Sequence, residues 1–146
     1  VPIGEYPYTI DDKGRVVMPP SFRNFVPENL FITRGLEGCL YVFAEKTWNQ
    51  IENALSDLPL VDSTGQAFVR FFYSGAKKDA LDGQGRISIP STLRDFAELK
   101  GDVIVAGAPN RLEIWDLTKW METIREIQKR PPIQELLPDA LRKLIG

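Results

Sequence analysis

Apolar positions recur with a period of two along several short stretches of the chain and with a helical period along others, and the same order of stretches occurs twice. Val16 and Met18, and later Ile87 and Ile89, share one face of short strands that Pro19 and Pro90 end. Each is preceded by a brief extended run, residues 8–10 or 80–81, and by a polar glycine turn. Ser21 in the first copy, and Ser91 and Thr92 in the second, are hydroxyls suited to starting a single helical turn through Phe22 or Leu93. Two more strands then flank a Gly-containing loop, residues 30–33 and 40–43 in one copy and 103–106 and 112–115 in the other, which predicts a hairpin in each. Helical spacing follows: Trp48, Ile51, Leu55 and Leu58 first, then Trp120, Ile124 and Ile127. Between the copies, Phe68 with Phe72 and Ala67 with Phe71 at i, i+4 predict a bridging helix over 63–74. Pro131 and Pro132 break the last helix, and Leu136, Leu137, Ala140, Leu141 and Leu144 after Ile133 predict a short C-terminal helix whose apolar stripe has no home in either copy.

The duplication is explicit at the level of residues. Asp11, Gly14, Arg15, Pro19, Arg23 and Phe25 recur as Asp82, Gly85, Arg86, Pro90, Arg94 and Phe96, each pair 71 positions apart. One added residue moves the offset to 72, at which Ile32, Gly35, Leu40, Val42, Phe43 and Trp48 meet Ile104, Gly107, Leu112, Ile114, Trp115 and Trp120. A unit of roughly 40 residues buries too little surface to stand alone without a staple, a metal or a partner. The copies are therefore expected to interleave about a pseudo-two-fold axis. This predicts an α+β fold with one β-barrel core and peripheral helices, divided into a first repeat over 5–60 with its β-hairpin loop, a connecting helix over 61–76, a second repeat over 77–130 and a tail over 131–146. Two beads on a flexible linker are disfavoured, because the link between the copies is rich in aromatic residues.

Composition narrows the function. The chain has 146 residues and no histidine, which removes the commonest metal ligand and the commonest general base near neutral pH. No catalytic residue, metal site, cofactor motif or small-molecule substrate is therefore expected. A single cysteine, Cys39, has no disulfide partner within the chain and no basic neighbour in sequence to activate it. No apolar run is long enough for a membrane span and no signal peptide is evident, so a cytoplasmic location is expected. With a net charge of −2 the chain is not an indiscriminate coat for nucleic acid. Yet Lys13, Arg15, Arg23, Lys77, Lys78, Arg86 and Arg94 gather around the two repeated turns, while residues 28–62 are acidic, so one face is expected to be positive.

The repeated turns carry the candidate chemistry. In Asp11-Asp12-Lys13-Gly14-Arg15 and Asp82-Gly83-Gln84-Gly85-Arg86, the first Asp is placed to close an Asx turn and the Gly at the fourth position to supply a positive φ. Period-two alternation turns Arg15 outward with Val17, and Arg86 outward with Ser88, on what should be two rigid hairpin tips. A guanidinium so placed suits phosphate contact or bidentate recognition of guanine. The competing reading is that each Asp and Arg pair across their own turn. The expected site therefore comprises Lys13, Arg15, Arg23, Arg86 and Arg94 as DNA contacts, with Asp11, Gly14, Asp82 and Gly85 shaping the loops.

Two Asp-x-x-Gly-Arg loops in a duplicated frame, each followed by strand, Pro and Arg, together with Gly4-Glu5-Tyr6 near the start, closely resemble the MraZ family, relatives of the AbrB-like swapped-hairpin regulators. The resemblance runs to about Arg130 and places the family's loop residues on Asp11, Arg15, Asp82 and Arg86. It implies a nucleoid-associated bacterial transcriptional regulator of the division and cell-wall gene cluster, which binds double-stranded DNA at direct repeats upstream of its own gene and assembles into a ring-like homo-oligomer. Two other classes compete with this reading: an antitoxin-like protein-interaction module using the C-terminal tail, and an enzyme pairing Asp11 with Asp82. The second is disfavoured because both turns are polar and exposed by prediction, leaving neither carboxyl a reason to stay protonated.

Overall fold

The computed structural model describes residues 2–26, 28–129 and 133–145. Its first half runs β1 (Glu5–Thr9), β2 (Arg15–Val17), a 3-10 turn (Pro20–Phe25), β3 (Asn29–Arg34), β4 (Leu40–Ala44) and α1 (Glu45–Ser56). After α2 (Ser63–Phe72) the order repeats as β5 (Lys77–Ala80), β6 (Arg86–Ser88), α3 (Ser91–Ala97), β7 (Asp102–Ala108), β8 (Arg111–Asp116) and α4 (Leu117–Lys129). A second 3-10 turn (Ile133–Leu136) and α5 (Asp139–Ile145) follow. Pro131 and Pro132, expected to break the helix, lie outside the described residues.

The strands form an open antiparallel six-stranded sheet, β1-β7-β8-β4-β3-β5, and a separate two-stranded ribbon, β2-β6. The expected barrel does not close. β2 and β6 are three residues long, are stopped by prolines, and bond to each other, so β1 and β5 remain as the sheet's two edges. A second correction follows from the pairing. The loop after β1 is not a hairpin tip, because β1 pairs with β7 and β2 pairs with β6; it is a corner that carries the chain from sheet to ribbon.

Every inter-repeat pairing is reciprocal. β1 of the first repeat lies along β7 of the second, and β5 of the second lies along β3 of the first. In the ribbon, Arg15 faces Ser88 and Val17 faces Arg86, a pattern that the 71-residue offset maps onto itself. Across the sheet, Leu40 faces Ile114 and Val42 faces Leu112, which the 72-residue offset likewise maps onto itself. The pseudo-two-fold axis therefore passes between Val16 and Ile87 and between Tyr41 and Glu113.

Alternation along the central strands explains the layers. Leu30, Ile32, Leu40, Val42, Val103, Val105, Leu112 and Ile114 point to one face, where they meet Val16, Met18, Ile87 and Ile89 from the ribbon and Phe22 and Leu93 from the short helices. Tyr41, Phe43, Ile104 and Trp115 point to the other, against Trp48 of α1 and Phe72 of α2. Because the inner strands are covered on both sides, they read as continuous apolar runs rather than as alternating ones. Each short helix begins at its proline, and among the described residues neither N-cap is closed by a side-chain hydroxyl, contrary to the role expected of Ser21, Ser91 and Thr92.

Candidate nucleic-acid interface

The ribbon divides its six residues by face. Val16 and Ile87 are buried, which leaves Arg15, Val17, Arg86 and Ser88 on the outer side. Register puts the arginines on a diagonal, two residues apart along the strands and one strand across, roughly 8 Å between their backbones.

Each loop is set by its own aspartate. Asp11 Oδ1 accepts the backbone N–H of Lys13 at 3.0 Å and of Arg15 at 2.8 Å, and Oδ2 accepts Arg15 Nε at 2.7 Å. In the second loop Asp82 Oδ1 accepts from Gln84 N and Arg86 N at 2.9 Å, and Oδ2 accepts from Arg86 Nε at 2.8 Å. The backbone N–H of each arginine is the main cause that holds its aspartate below the ordinary carboxylate range, with the guanidinium adding to it. The ionised form of both carboxylates is therefore favoured, and they belong to loops at opposite ends of the ribbon. That arrangement supplies no acid–base pair.

The competing sequence reading, in which Asp and Arg pair across their turns, is thus realised in both loops, and it does not use up the guanidinium. Only Nε is engaged. Among the described residues the Nη groups of Arg15 and Arg86 have no hydrogen-bond or ion-pair partner, and the side chains are 29% and 24% exposed. The arginines are half-buried rather than fully solvent-facing, and each guanidinium keeps donors beyond Nε that its aspartate does not use. Lys13 is exposed on the first loop, where the second has Gln84.

Arg23 and Arg94 stand elsewhere. Arg94 Nη1 donates to the Ile89 carbonyl at 2.7 Å and Arg23 Nε to the Met18 carbonyl at 3.3 Å. Both lie behind the loops, and each lies against the loop glycine of the other repeat. The neighbours of Ser88 carry no counterpart in the first copy: its N–H donates to Asp79 Oδ2 and its carbonyl accepts from Lys77 Nζ, both at 3.3 Å. Tyr8 occupies the place of Asp79 in the first repeat, so the two ends of the ribbon differ chemically.

Other candidates have structural explanations. Cys39 is buried, and burial, helped by Glu113 nearby, pushes its thiol up to about 12. Among the described residues no cluster of three or more His, Cys, Asp or Glu side chains is placed to hold a metal, and no helix is long and apolar enough to cross a membrane.

Two consecutive segments, residues 3–71 and 72–142, match one family described as "MraZ protein, putative antitoxin-like". The chain belongs to the MraZ family. Relatives are close: a Deinococcus radiodurans protein named transcriptional regulator MraZ is 60% identical over 94% of this chain and 96% of its own length. A Thermus thermophilus protein of the same name is 53% identical over the whole of both chains, and one from Natranaerobius thermophilus is 47% identical over 81% of this chain and 82% of its own. The two MraZ matches meet within α2, so the family match is itself duplicated along the chain.

Proposed function

We propose that the chain is a sequence-specific DNA-binding transcriptional regulator, not an enzyme, and that the outer face of the β2–β6 ribbon is its reading surface. The observation that carries this is the pair of arginines held at a fixed diagonal with their Nη edges free among the described residues. A two-stranded ribbon fits the major groove, about 12 Å wide, and an arginine presenting an open edge there suits guanine O6 and N7. Lys13 extends the face toward the phosphates. The names of the MraZ relatives support the same reading.

Finer points rest on the family resemblance. The reciprocal exchange of β1 and β5 supports reading the repeats as AbrB-like swapped hairpins. The target is direct repeats upstream of the chain's own gene, in a division and cell-wall cluster, and the working form is a ring-like homo-oligomer in the cytoplasm, associated with the nucleoid. Several ribbons acting together on several DNA repeats would offset the acidic net charge through effective concentration. A protein-partner role has one observation in its favour: Leu144 and Ile145 of α5 are 76% and 73% exposed.

The test is an anisotropy titration of a labelled duplex carrying the upstream region, beside a shuffled duplex, over a salt series. The proposal expects tighter binding to the native sequence at every salt concentration, weakening as salt rises. Equal binding to both duplexes throughout would contradict it.

A further inference from the structure

We infer that Arg23 and Arg94 are positioning residues, each holding the DNA-reading loop of the opposite repeat, so that neither loop is set without the other half of the chain. This rests on the reading of the ribbon as the DNA surface and assigns the two arginines a task other than the DNA contact expected from sequence.

Gly14 shows the arrangement. Its carbonyl accepts the Ile89 N–H at 2.8 Å, and the Ile89 carbonyl in turn accepts Arg94 Nη1 at 2.7 Å. The guanidinium then lies so close against Gly14 that a Cβ there would overlap Nη1 and stand 2.8 Å from Cζ. One peptide unit of the second repeat and one arginine thus grip the first loop from two sides. The second loop is gripped in the same way: Met18 N–H donates to the Gly85 carbonyl at 2.8 Å, Arg23 Nε donates to the Met18 carbonyl, and a Cβ on Gly85 would stand 2.5 Å from Arg23 Cζ. The offset that carries Gly14 to Gly85 also carries Arg23 to Arg94, so both copies retain two residues that meet only across the axis.

The residue types suit this task. A planar guanidinium can lie flat on a glycine Cα while donating in its own plane to a carbonyl, which an ammonium cannot do. Both glycines also need their positive φ, +78° and +73°, so the loop conformation and the arginine's seat depend on the same absent side chain. The two clasps differ in strength. Arg94 is half-buried with a bond of 2.7 Å, whereas Arg23 is exposed with one of 3.3 Å.

The experiment is amide hydrogen exchange on the intact protein without DNA, for wild type, Arg94→Ala, Arg23→Ala and the two lysine variants, followed by a salt series with the upstream duplex. Arg94→Ala is expected to speed exchange at Lys13 and Arg15 about tenfold or more while Gln84 and Arg86 keep wild-type rates. Arg23→Ala should do the reverse, with a smaller change. DNA affinity should fall with the salt slope unchanged, and lysine should rescue it only in part. Faster exchange throughout the chain, or unchanged loop exchange with a slope reduced by about 0.9 per subunit, would overturn the inference, the latter marking a phosphate contact. If the wild type binds neither duplex selectively, the functional reading fails while the crossed exchange pattern still decides the clasp. Should an alanine variant fail to fold, the lysine variant carries the same crossed test.

Discussion

Asp11 grips Arg15 along two edges, the backbone N–H at 2.8 Å on one carboxylate oxygen and Nε at 2.7 Å on the other. The carboxylate therefore shapes the loop and aims the guanidinium in a single contact. Asp11→Ala should weaken DNA binding nearly as much as Arg15→Ala, and the double variant should add little to either, because both act through one oriented group. Titrations of the three variants check this; fully additive losses would show that Asp11 contributes elsewhere.

The pH dependence of the loops follows from the same bonds. Asp11 and Asp82 are held below their ordinary value of 3.8, chiefly by the backbone N–H groups of Arg15 and Arg86. A folded value below the unfolded one means that the unfolded chain binds more protons in acid, so the contribution is present above the unfolded value and is lost as pH falls through the folded one. Amide chemical shifts of Lys13, Arg15, Gln84 and Arg86 should be constant from neutrality to about pH 4 and move below it, both loops together. A transition centred near pH 6 would contradict the assignment.

Two glycines in one turn should respond unequally to the same change. Gly85 has a φ of +73° and Arg23 against it, whereas a Cβ on Gly83 would meet nothing within 4 Å and its φ is not positive. Gly85→Ala should cost at least about 1–2 kcal/mol from the left-handed backbone alone. Gly83→Ala should stay within about 0.5 kcal/mol of wild type. Denaturant unfolding of both variants measures the contrast.

Thr33 is the buried polar side chain among the described residues, and its hydroxyl donates to the Phe72 carbonyl at the end of α2. Thr33→Val leaves that carbonyl without its donor and should destabilise the chain by about 1–3 kcal/mol, while Thr33→Ser should recover most of the loss. Equal midpoints for the Val and Ser variants would show that shape, not the hydrogen bond, matters there.

Much of this architecture is legible in the residues. The duplication, the alternation of Val16 with Met18 and Ile87 with Ile89, and the helical spacing from Trp48 each point to an element that the fold contains. That the sheet stays open, with no closed barrel, is not legible, because whether β2 joins β1 or β6 depends on the length of the ribbon strands and on contacts across the axis, which local pattern does not encode. The same holds for Arg23 and Arg94. Their recurrence is visible, but their seats on Gly85 and Gly14 exist only once the halves interleave. Asp–Arg pairing and a guanidinium with donors to spare, opposed in the sequence reading, coexist because the carboxylate takes only Nε and leaves the Nη groups without a partner among the described residues.

The most direct measurement is DNA binding by Arg15→Ala and Arg86→Ala, with native mass recorded alongside. Both variants should keep the wild-type mass and lose about 1–3 kcal/mol of affinity for each contact removed, recurring in every subunit engaged, so that binding to the upstream duplex is abolished or greatly weakened. Lys46→Ala, within the acidic stretch, should bind as wild type. If both arginine variants assemble correctly and bind that duplex like wild type across a salt series, the loops are structural turns and the ribbon is not the reading surface.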